Sequence, residues 1–596
     1  MGVFFISFFW FHYTICVMLL KIFEGSHSIS TAFAINFFYL IVCFACSGPL
    51  SFGAVDDYFM ARILEGVYGE SHNVHLTFVN VLYGYALWPL YHFFPKVGWF
   101  YIGELLAVFV SLTTISYIAI KKMGVRWGSI FSALLVACVA RDFYLTVQFT
   151  MCAAVLGVAG MSLFLYGLDQ NLKQKRLLSV AILLVIWGFC MRKEAFLMGV
   201  PFAAIAMLFF AKNILANKHR FLLCSVVLVL GLWGADSFNT VHYSAPEYKK
   251  FTEFQSPRVI LGDKKNYDID AVNDEIEESG LSVEDFALLT QWTFYDKEAF
   301  ALDSLKQVTA IIGKYTHPLN WFTMPNKAVE WLDRSLSHPC FWLFFLVGLA
   351  LLLSRGNRGL YVWGAMFVIL ALISYLVYLQ RLVYRVESGL WLYATVCAIP
   401  LWKVSRSISF RKFIAILGII LVTYTAIMYN TGSLVRSATN GQLWNATLRQ
   451  KTAPARFKAA FEYMESLPNN TVFLASMGTY MFFSYYREPP YLSEPVGSWK
   501  RIIPLGYWTP YFPDVENSMS EYGIENPMRD AVKENVVVIG TDEFLLDFLQ
   551  RHYYENATVD TLYNVDGVKF FKYSENQLDA ELQNDVTRKL DFVHDS

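Results

Sequence analysis

Charged side chains are scarce in this chain. Asp, Glu, Lys and Arg make up 16% of its 596 residues, against roughly 25% in an ordinary soluble domain. So few charges cannot clothe a soluble protein of this size. The near balance of 48 basic and 49 acidic residues also excludes the broad basic field on which nucleic-acid binding depends. Cysteine is missing from the long polar regions. All nine (Cys16, Cys43, Cys46, Cys138, Cys152, Cys190, Cys224, Cys340 and Cys397) fall in or beside apolar runs, which leaves no disulfide framework and no cysteine-based metal site. There is no internal repeat and no low-complexity segment.

What the chain has instead is hydrophobicity: 56% of residues are apolar and 17% aromatic, and mean hydropathy is +0.39. A membrane-spanning helix needs ~20 apolar residues, with ~17 tolerated. Runs at 31–49, 98–120, 126–142, 147–168, 177–191, 195–211, 221–238, 338–354, 360–379, 388–402 and 412–430 predict eleven helices. Residues 3–20 make a twelfth candidate, also readable as a signal-like segment, although no small-residue cleavage site follows it.

Every second connection is basic: Lys121, Lys122 and Arg126; Lys173, Lys175 and Arg176; Lys212, Lys218 and Arg220; Arg355 and Arg358; Lys403, Arg406, Arg411 and Lys412. The positive-inside rule makes these cytoplasmic. The other connections, the polar region 239–337 and the tail from 431 are then extracytoplasmic. Counting "VHLTFVNVLYGYALWPLYHFF" (74–94) as a span would move Lys121 and Lys122 outside, so it is read as an interfacial or re-entrant helix.

The expected class is therefore mainly α: a polytopic membrane bundle of about 11–12 transmembrane helices with extracytoplasmic additions. The expected parts are an N-terminal hydrophobic helix (1–30), a transmembrane core (31–238) with an outer loop (51–97), a helical insertion (239–337), further transmembrane helices (338–430) and a C-terminal α/β domain (431–596). In the insertion, "LSVEDFALLTQW" opens with Ser282 and Asp285 at capping-box spacing. In the tail, "NTVFLAS" and "NVVVIGT" read as short strands and "TLYNVDGVKFFKY" as a closing hairpin. The tail has neither a glycine-rich phosphate loop nor a catalytic elbow.

"GAVDDYFMARILEG" (53–66) places two adjacent acids directly after the first core run. Met60, Ile63, Leu64 and Val67 form one helical stripe with Arg62 and Glu65 off it, which predicts a helix lying along the outer surface. An aspartate is a favoured N-cap, but one cap does not require two acids. Three more charged sets share the same predicted face: Arg141 and Asp142 in "ARDFYLT"; Arg192 and Glu194 in "MRKEA"; Arg381, Arg385 and Glu387 in "LQRLVYRVES". An isolated arginine at a helix end snorkels to the headgroups, whereas charges at membrane depth are functional candidates by default. Moving a sugar from a lipid phosphate to a hydroxyl needs a carboxylate to take the proton and fixed cations to hold the departing phosphate.

On these residues the chain resembles the GT-C superfamily of integral-membrane glycosyltransferases. Their core opens with a helix, continues into a long outer loop with an acidic motif and juxtamembrane helices, and carries a second acidic position in the next outer loop. "VDDYFMARILEG" matches the first motif and Asp142 the second, and the layout is similar over most of 31–430. The chain is also similar to large bacterial membrane proteins with a "DDYF"-type motif, a "VQFTMCAAV" helix, an "MRKEAF" turn and an "RLVYRV" loop.

The resemblance implies transfer of a sugar from a polyprenyl-phosphate donor to a cell-envelope glycan, lipid or protein at the extracytoplasmic face. It makes Asp56 or Asp57 the catalytic base, Asp142 the second acidic position, and Arg381, Arg385 and Arg192 the donor-phosphate contacts. Arg141 and Glu194 are further candidate substrate contacts. Some members bind a divalent cation (Mg or Mn); here Asp56, Asp57 and Asp142 are the candidate ligands. Where many members show a His-Pro-Pro stretch, "ESHNVHLTFVN" offers His72 and His75 without the prolines, as substrate or metal contacts or as hydrogen-bonded interfacial groups. Expected partners are membrane lipids, the donor and a glycan or lipid acceptor, with no nucleic acid. The rival readings are a polysaccharide polymerase or ligase using the same donors, a transporter or flippase of lipid-linked glycans, and a non-enzymatic envelope protein. A transporter should show paired halves and helices broken at the midplane, and neither is visible.

Overall fold

The computed structural model describes residues 27–46, 50–263, 267–316, 324–336, 338–353, 357–379, 382–402, 418, 454–486, 489–565 and 567–575. The candidate helix at 3–20 and, apart from Gly418, the run at 412–430 lie outside the described residues. The other predicted runs coincide with helices: α1 (His27–Cys46), α4 (Trp99–Met123), α5 (Val125–Ala140), α6 (Phe149–Asp169), α7 (Lys175–Met191), α8 (Lys193–Leu208), α9 (Lys218–Tyr243), α11 (Pro339–Leu352), α12 (Leu360–Tyr378) and α13 (Tyr384–Val396). Among the described residues, five helices are long and apolar enough to cross a membrane.

Burial orders these helices. The apolar window of α4 is 100% buried and that of α6 94%, against 6% for α9, so α4 and α6 form the centre of the bundle and α9 its rim. The rim exposes Leu222, Leu230 and Trp233 on α9 and Trp363 and Phe367 on α12. Such a surface would aggregate in water but matches lipid tails. Helices α6 and α7 approach closely because small residues meet: a Cβ on Gly188 would stand 2.8 Å from the Gly157 nitrogen. Close backbone contact of this kind replaces the hydrophobic drive that lipid does not supply.

The segment read as interfacial becomes α3 (Val81–Phe93), 13 residues long. At ~1.5 Å per residue that is about 20 Å, short of a ~30 Å hydrocarbon core. Asn80 caps it, its side chain accepting from Leu82 N–H at 3.0 Å.

The two polar regions fold together at one end of the bundle. The insertion contributes α10 (Lys249–Asp263) and the helices Ile269–Glu278, Val283–Thr290 and Leu302–Lys314. The Ser282–Asp285 capping box forms in both directions. The tail builds a five-stranded sheet of β3 (Val472–Ala475), β4 (Ile502–Pro504), β5 (Val536–Gly540), β6 (Thr558–Val565) and β7 (Val568–Ser574) in the order β4-β3-β5-β7-β6. β4, β3 and β5 run parallel, and β7 pairs antiparallel with β5 and β6. Insertion and sheet share backbone bonds: Phe294 and Tyr295 N–H both donate to the Leu505 carbonyl, at 3.0 and 3.1 Å.

The acid helix α2 (Val55–Glu65) does not lie on an open surface as its amphipathic pattern predicts. Arg62 and Glu65 are only 4% and 2% exposed. The α/β domain covers the polar face: Arg62 Nη1 lies 3.2 Å from Glu65 and 3.3 Å from Glu494, and the guanidinium sits over the Trp499 ring. One buried cation facing two buried acids leaves one acid protonated. Burial, with Glu494 beside it, pushes Glu65 up to about 7 in spite of Arg62.

Two outcomes are expected. Arg62→Met leaves two acids facing each other and should cost about 3–5 kcal/mol, read as a lower denaturation midpoint in detergent. Because the folded state binds the Glu65 proton more tightly than the unfolded chain, its contribution is complete below the ordinary carboxylate range and is lost as pH rises through about 7. Glu65→Gln should flatten that part of the stability profile.

Candidate functional site

A two-strand clip sets the start of α2. β1 (Ser51–Phe52) runs parallel to β2 (Thr146–Val147), and Gly53 N–H donates to the Val147 carbonyl at 2.7 Å. The loop before the acids is thereby fixed against the connection that carries Asp142, itself a turn of π-helix at Arg141–Leu145. Ala54 is the N-cap of α2, without a side-chain bond, so neither aspartate caps; both lie in the first turn, where the helix dipole favours negative charge.

Adjacent helical residues point about 100° apart, and the two acids meet different surroundings. Asp56 lines a cavity of about 330 Å³ together with Arg192, Arg258, Asp263, Arg385, Trp292 and Tyr507. Asp57 is fully buried. Its Oδ1 accepts from Phe149 N–H, at the start of α6, at 2.8 Å, and the carboxyl of Glu104 on α4 faces it. A hydrogen bond between two carboxyls forms only when one carries a proton. Burial, with the charge of Asp56 adding, pushes Asp57 up to about 7, against the pull of the Phe149 amide and Arg385.

Three guanidinium groups reach the cavity from separate elements. Arg192 occupies the one-residue break between α7 and α8, in extended backbone. Its guanidinium stacks on Phe149 at 4.8 Å and Phe78 at 5.7 Å. Arg258, from α10, lies 5.8 Å from both Phe78 and Trp292. Arg385 sits in the first turn of α13. The aromatic faces attract the guanidinium groups of Arg192 and Arg258, whose N–H edges suit oxyanions. Met477, Met481 and Val259 supply an apolar wall. The Tyr507 hydroxyl donates to Asp56 Oδ1.

The other predicted residues are placed as follows. Asp142 is buried and accepts from the Tyr384 hydroxyl at 2.6 Å. It does not line the cavity; its partner Tyr384 is the chain neighbour of Arg385. Glu194 is exposed, 3.8 Å from Arg192, and does not line the cavity. His72 donates through Nδ1 to the Leu64 and Glu65 carbonyls at 3.0 and 3.1 Å, closing the C-terminal end of α2. His75 stacks on Tyr248 at 4.0 Å, and burial, with His242 adding, pushes its imidazole down to about 4. Neither histidine lines the cavity. Arg381 and the side chain of Arg141 lie outside the described residues.

The candidate divalent-cation ligands do not converge. Asp56 is engaged by Tyr507, Asp57 by Phe149 and Glu104, and Asp142 by Tyr384. Among the described residues no group of three or more His, Cys, Asp or Glu side chains could hold a metal ion. The described residues do not fit a carboxylate cation site.

Sequence reading missed Arg258, Asp263, Trp292, Tyr507 and Glu104. Glu104 carried a usable signal, as the lone acid of an otherwise apolar run. The others sit in polar regions where charge and aromatics are unexceptional.

No family model and no curated protein matches the chain. Solved structures of similar layout include ArnT from Cupriavidus metallidurans bound to undecaprenyl phosphate, 10% identical, covering 92% of this chain and 98% of that one with a TM-score of 0.47. Another is the oligosaccharyltransferase of Archaeoglobus fulgidus in the apo form, 13% identical, covering 94% of this chain and 75% of that one with a TM-score of 0.41.

The different settings of the two acids can be separated by stability. Asp57→Leu strands the Phe149 amide and should cost about 1–3 kcal/mol, whereas Asp57→Asn keeps an acceptor and should stay within about 1 kcal/mol of the parent. Denaturant midpoints in a fixed detergent report the difference.

Proposed function

We propose that this protein is an integral-membrane glycosyltransferase that moves a sugar from a polyprenyl-phosphate donor to an acceptor hydroxyl. The cavity faces away from the cytoplasm in this reading, as the alternation of Lys and Arg along the chain supports. The observation that carries the proposal is the meeting of Asp56 with Arg192, Arg258 and Arg385 in one cavity beneath the two polar regions. A bare acid cluster suits cations and a bare arginine cluster suits any anion. A carboxylate beside guanidinium groups suits a reaction in which a proton is taken while a phosphate departs.

In that reaction the acceptor oxygen attacks the anomeric carbon and the bond from that carbon to the phosphate oxygen breaks. The phosphate keeps the electron pair and the acceptor proton passes to Asp56. The guanidinium groups offset the growing phosphate charge, and Arg192 and Arg258 do so from positions over the Phe149 and Trp292 rings. Asp57, out of the cavity, holds the α2–α6 corner through the Phe149 amide.

The test uses purified protein in nanodiscs with polyprenyl-phosphate-linked sugars. Asp56→Asn is expected to lower kcat about 10²–10⁴-fold, the usual worth of a general base, while Asp57→Asn keeps most of the activity. Arg192→Ala combined with Arg385→Ala should abolish measurable binding of bare polyprenyl phosphate. Full turnover in Asp56→Asn rejects the base assignment, and movement of unmodified glycolipid across sealed vesicles without transfer favours transport.

A further inference from the structure

Among the described residues, left-handed backbone angles outside glycine occur at Thr77, Asn171, Leu172, Trp292, Tyr507 and Tyr511. Trp292 (φ 69°) and Tyr507 (φ 66°) are bulky aromatics, and both line the cavity that holds Asp56. That conformation is unfavourable for a large side chain and persists only where its surroundings impose it, which happens chiefly at binding and catalytic sites.

The imposing contacts are visible. Tyr507 N–H donates to the Trp292 carbonyl at 3.3 Å, and a Cβ on Gly506 would fall 1.5 Å from that carbonyl oxygen. A Cβ on Gly262 would come within 2.5 Å of the indole, which therefore packs flush on α10. Gly506 thus allows the insertion and the α/β domain to interlock, and Gly262 seats the indole within the insertion. The interlock sets the indole and phenol rings 5.4 Å apart at 50°. Phe59 of α2 backs the phenol ring at 4.8 Å, and the phenol hydroxyl donates to Asp56.

The result is an aromatic corner rimmed by Asp56, Asp263 and Arg258. A pyranose ring has this complement: a flat C–H face that lies against aromatic carbon, and a rim of hydroxyls that donate to carboxylates and accept from guanidinium. A phosphate has no apolar face, and a lipid chain has no polar rim.

We infer that the Trp292–Tyr507 corner is the subsite for a pyranose ring and that Tyr507 is a positioning residue that aims Asp56. The inference rests on the glycosyltransferase reading and adds to it the wall that selects the sugar. The two polar regions are then parts of the active site, because each contributes one wall of the corner.

The experiment uses the full chain in nanodiscs, titrated with bare polyprenyl phosphate and with the same lipid phosphate carrying glucose, mannose or galactose. The parent should bind at least one sugar-bearing lipid more tightly than the bare one. Trp292→Ala should reduce that preference, read as the ratio of the two affinities, about tenfold, a difference of ~1.4 kcal/mol; Trp292 also supports Arg258, and the ratio divides out any fall in bare-lipid binding. Trp292→Gly should lose the preference equally while unfolding at no lower temperature than Trp292→Ala, because glycine accepts the left-handed angle. That result separates loss of the wall from loss of the fold. Tyr507→Phe keeps the ring, so it should lower kcat about tenfold with KM unchanged. A preference that survives both Trp292 variants, or no preference in the parent, overturns the subsite; an unchanged kcat in Tyr507→Phe overturns the positioning role. A sugar preference without any transfer overturns the glycosyltransferase reading and leaves the subsite standing.

Discussion

The setting of the cavity that holds Asp56 depends on keeping α2 out of water. The helix carries Arg62 and Glu65 into a seam that the α/β domain closes with Glu494 and Trp499. A buried cation is costly unless its charge is met locally, so the seam tolerates one arrangement of these groups and few others. That restriction fixes the helix about its axis, and its orientation fixes Asp56. The same side of the helix carries Phe59, packed against Tyr480, Tyr507 and Trp508 of that domain at 4.8–5.1 Å, while Asp57 ties the helix to α6 through the Phe149 amide. Polar and aromatic contacts thus bind the same short helix to both the bundle and its cap.

From that constraint follows a division of labour between adjacent residues. Asp56 faces a cavity with three arginines, while Asp57 is sealed between α6 and α4. A carboxyl in an apolar seam, as Asp57 is, is driven toward its neutral form. The same pair of letters in the sequence therefore yields one group suited to chemistry and one suited to architecture. The arginines are similarly prepared. Arg192 and Arg258 both lie within 5.8 Å of the Phe78 ring, so two like charges from separate elements meet at one aromatic side chain.

The legible parts of the sequence were those governed by local pattern. Apolar runs marked the helices because burial in lipid requires length and continuity. The strands at 472–475 and 536–540 and the hairpin at 558–574 were visible as β-branched and aromatic clusters, while β4, with three residues, was too short to show a period. Arg192, Arg385 and Asp56 stood out because charge beside an apolar run is expensive wherever it occurs, and the structure brings these three to one cavity. Of the two readings open for His72 and His75, the structure shows contacts away from the cavity: one closes a helix end and the other stacks in an aromatic cluster. The covering of the face of α2 expected to be exposed left no local signal, because the covering residues lie more than 400 positions away in the chain.

The sequence by itself determined the membrane class, the helical bundle and the neighbourhoods where charge matters, since hydrophobicity accumulates along the chain and needs no partner to be recognised. The tertiary structure alone decided which of two neighbouring aspartates meets the cavity and that Arg258, Trp292 and Tyr507 complete it. The reason is geometric. A rotation of one residue about a helix axis acquires meaning only when the surfaces on each side are in place, and those surfaces come from segments whose contacts leave no periodic trace in the order of the amino acids.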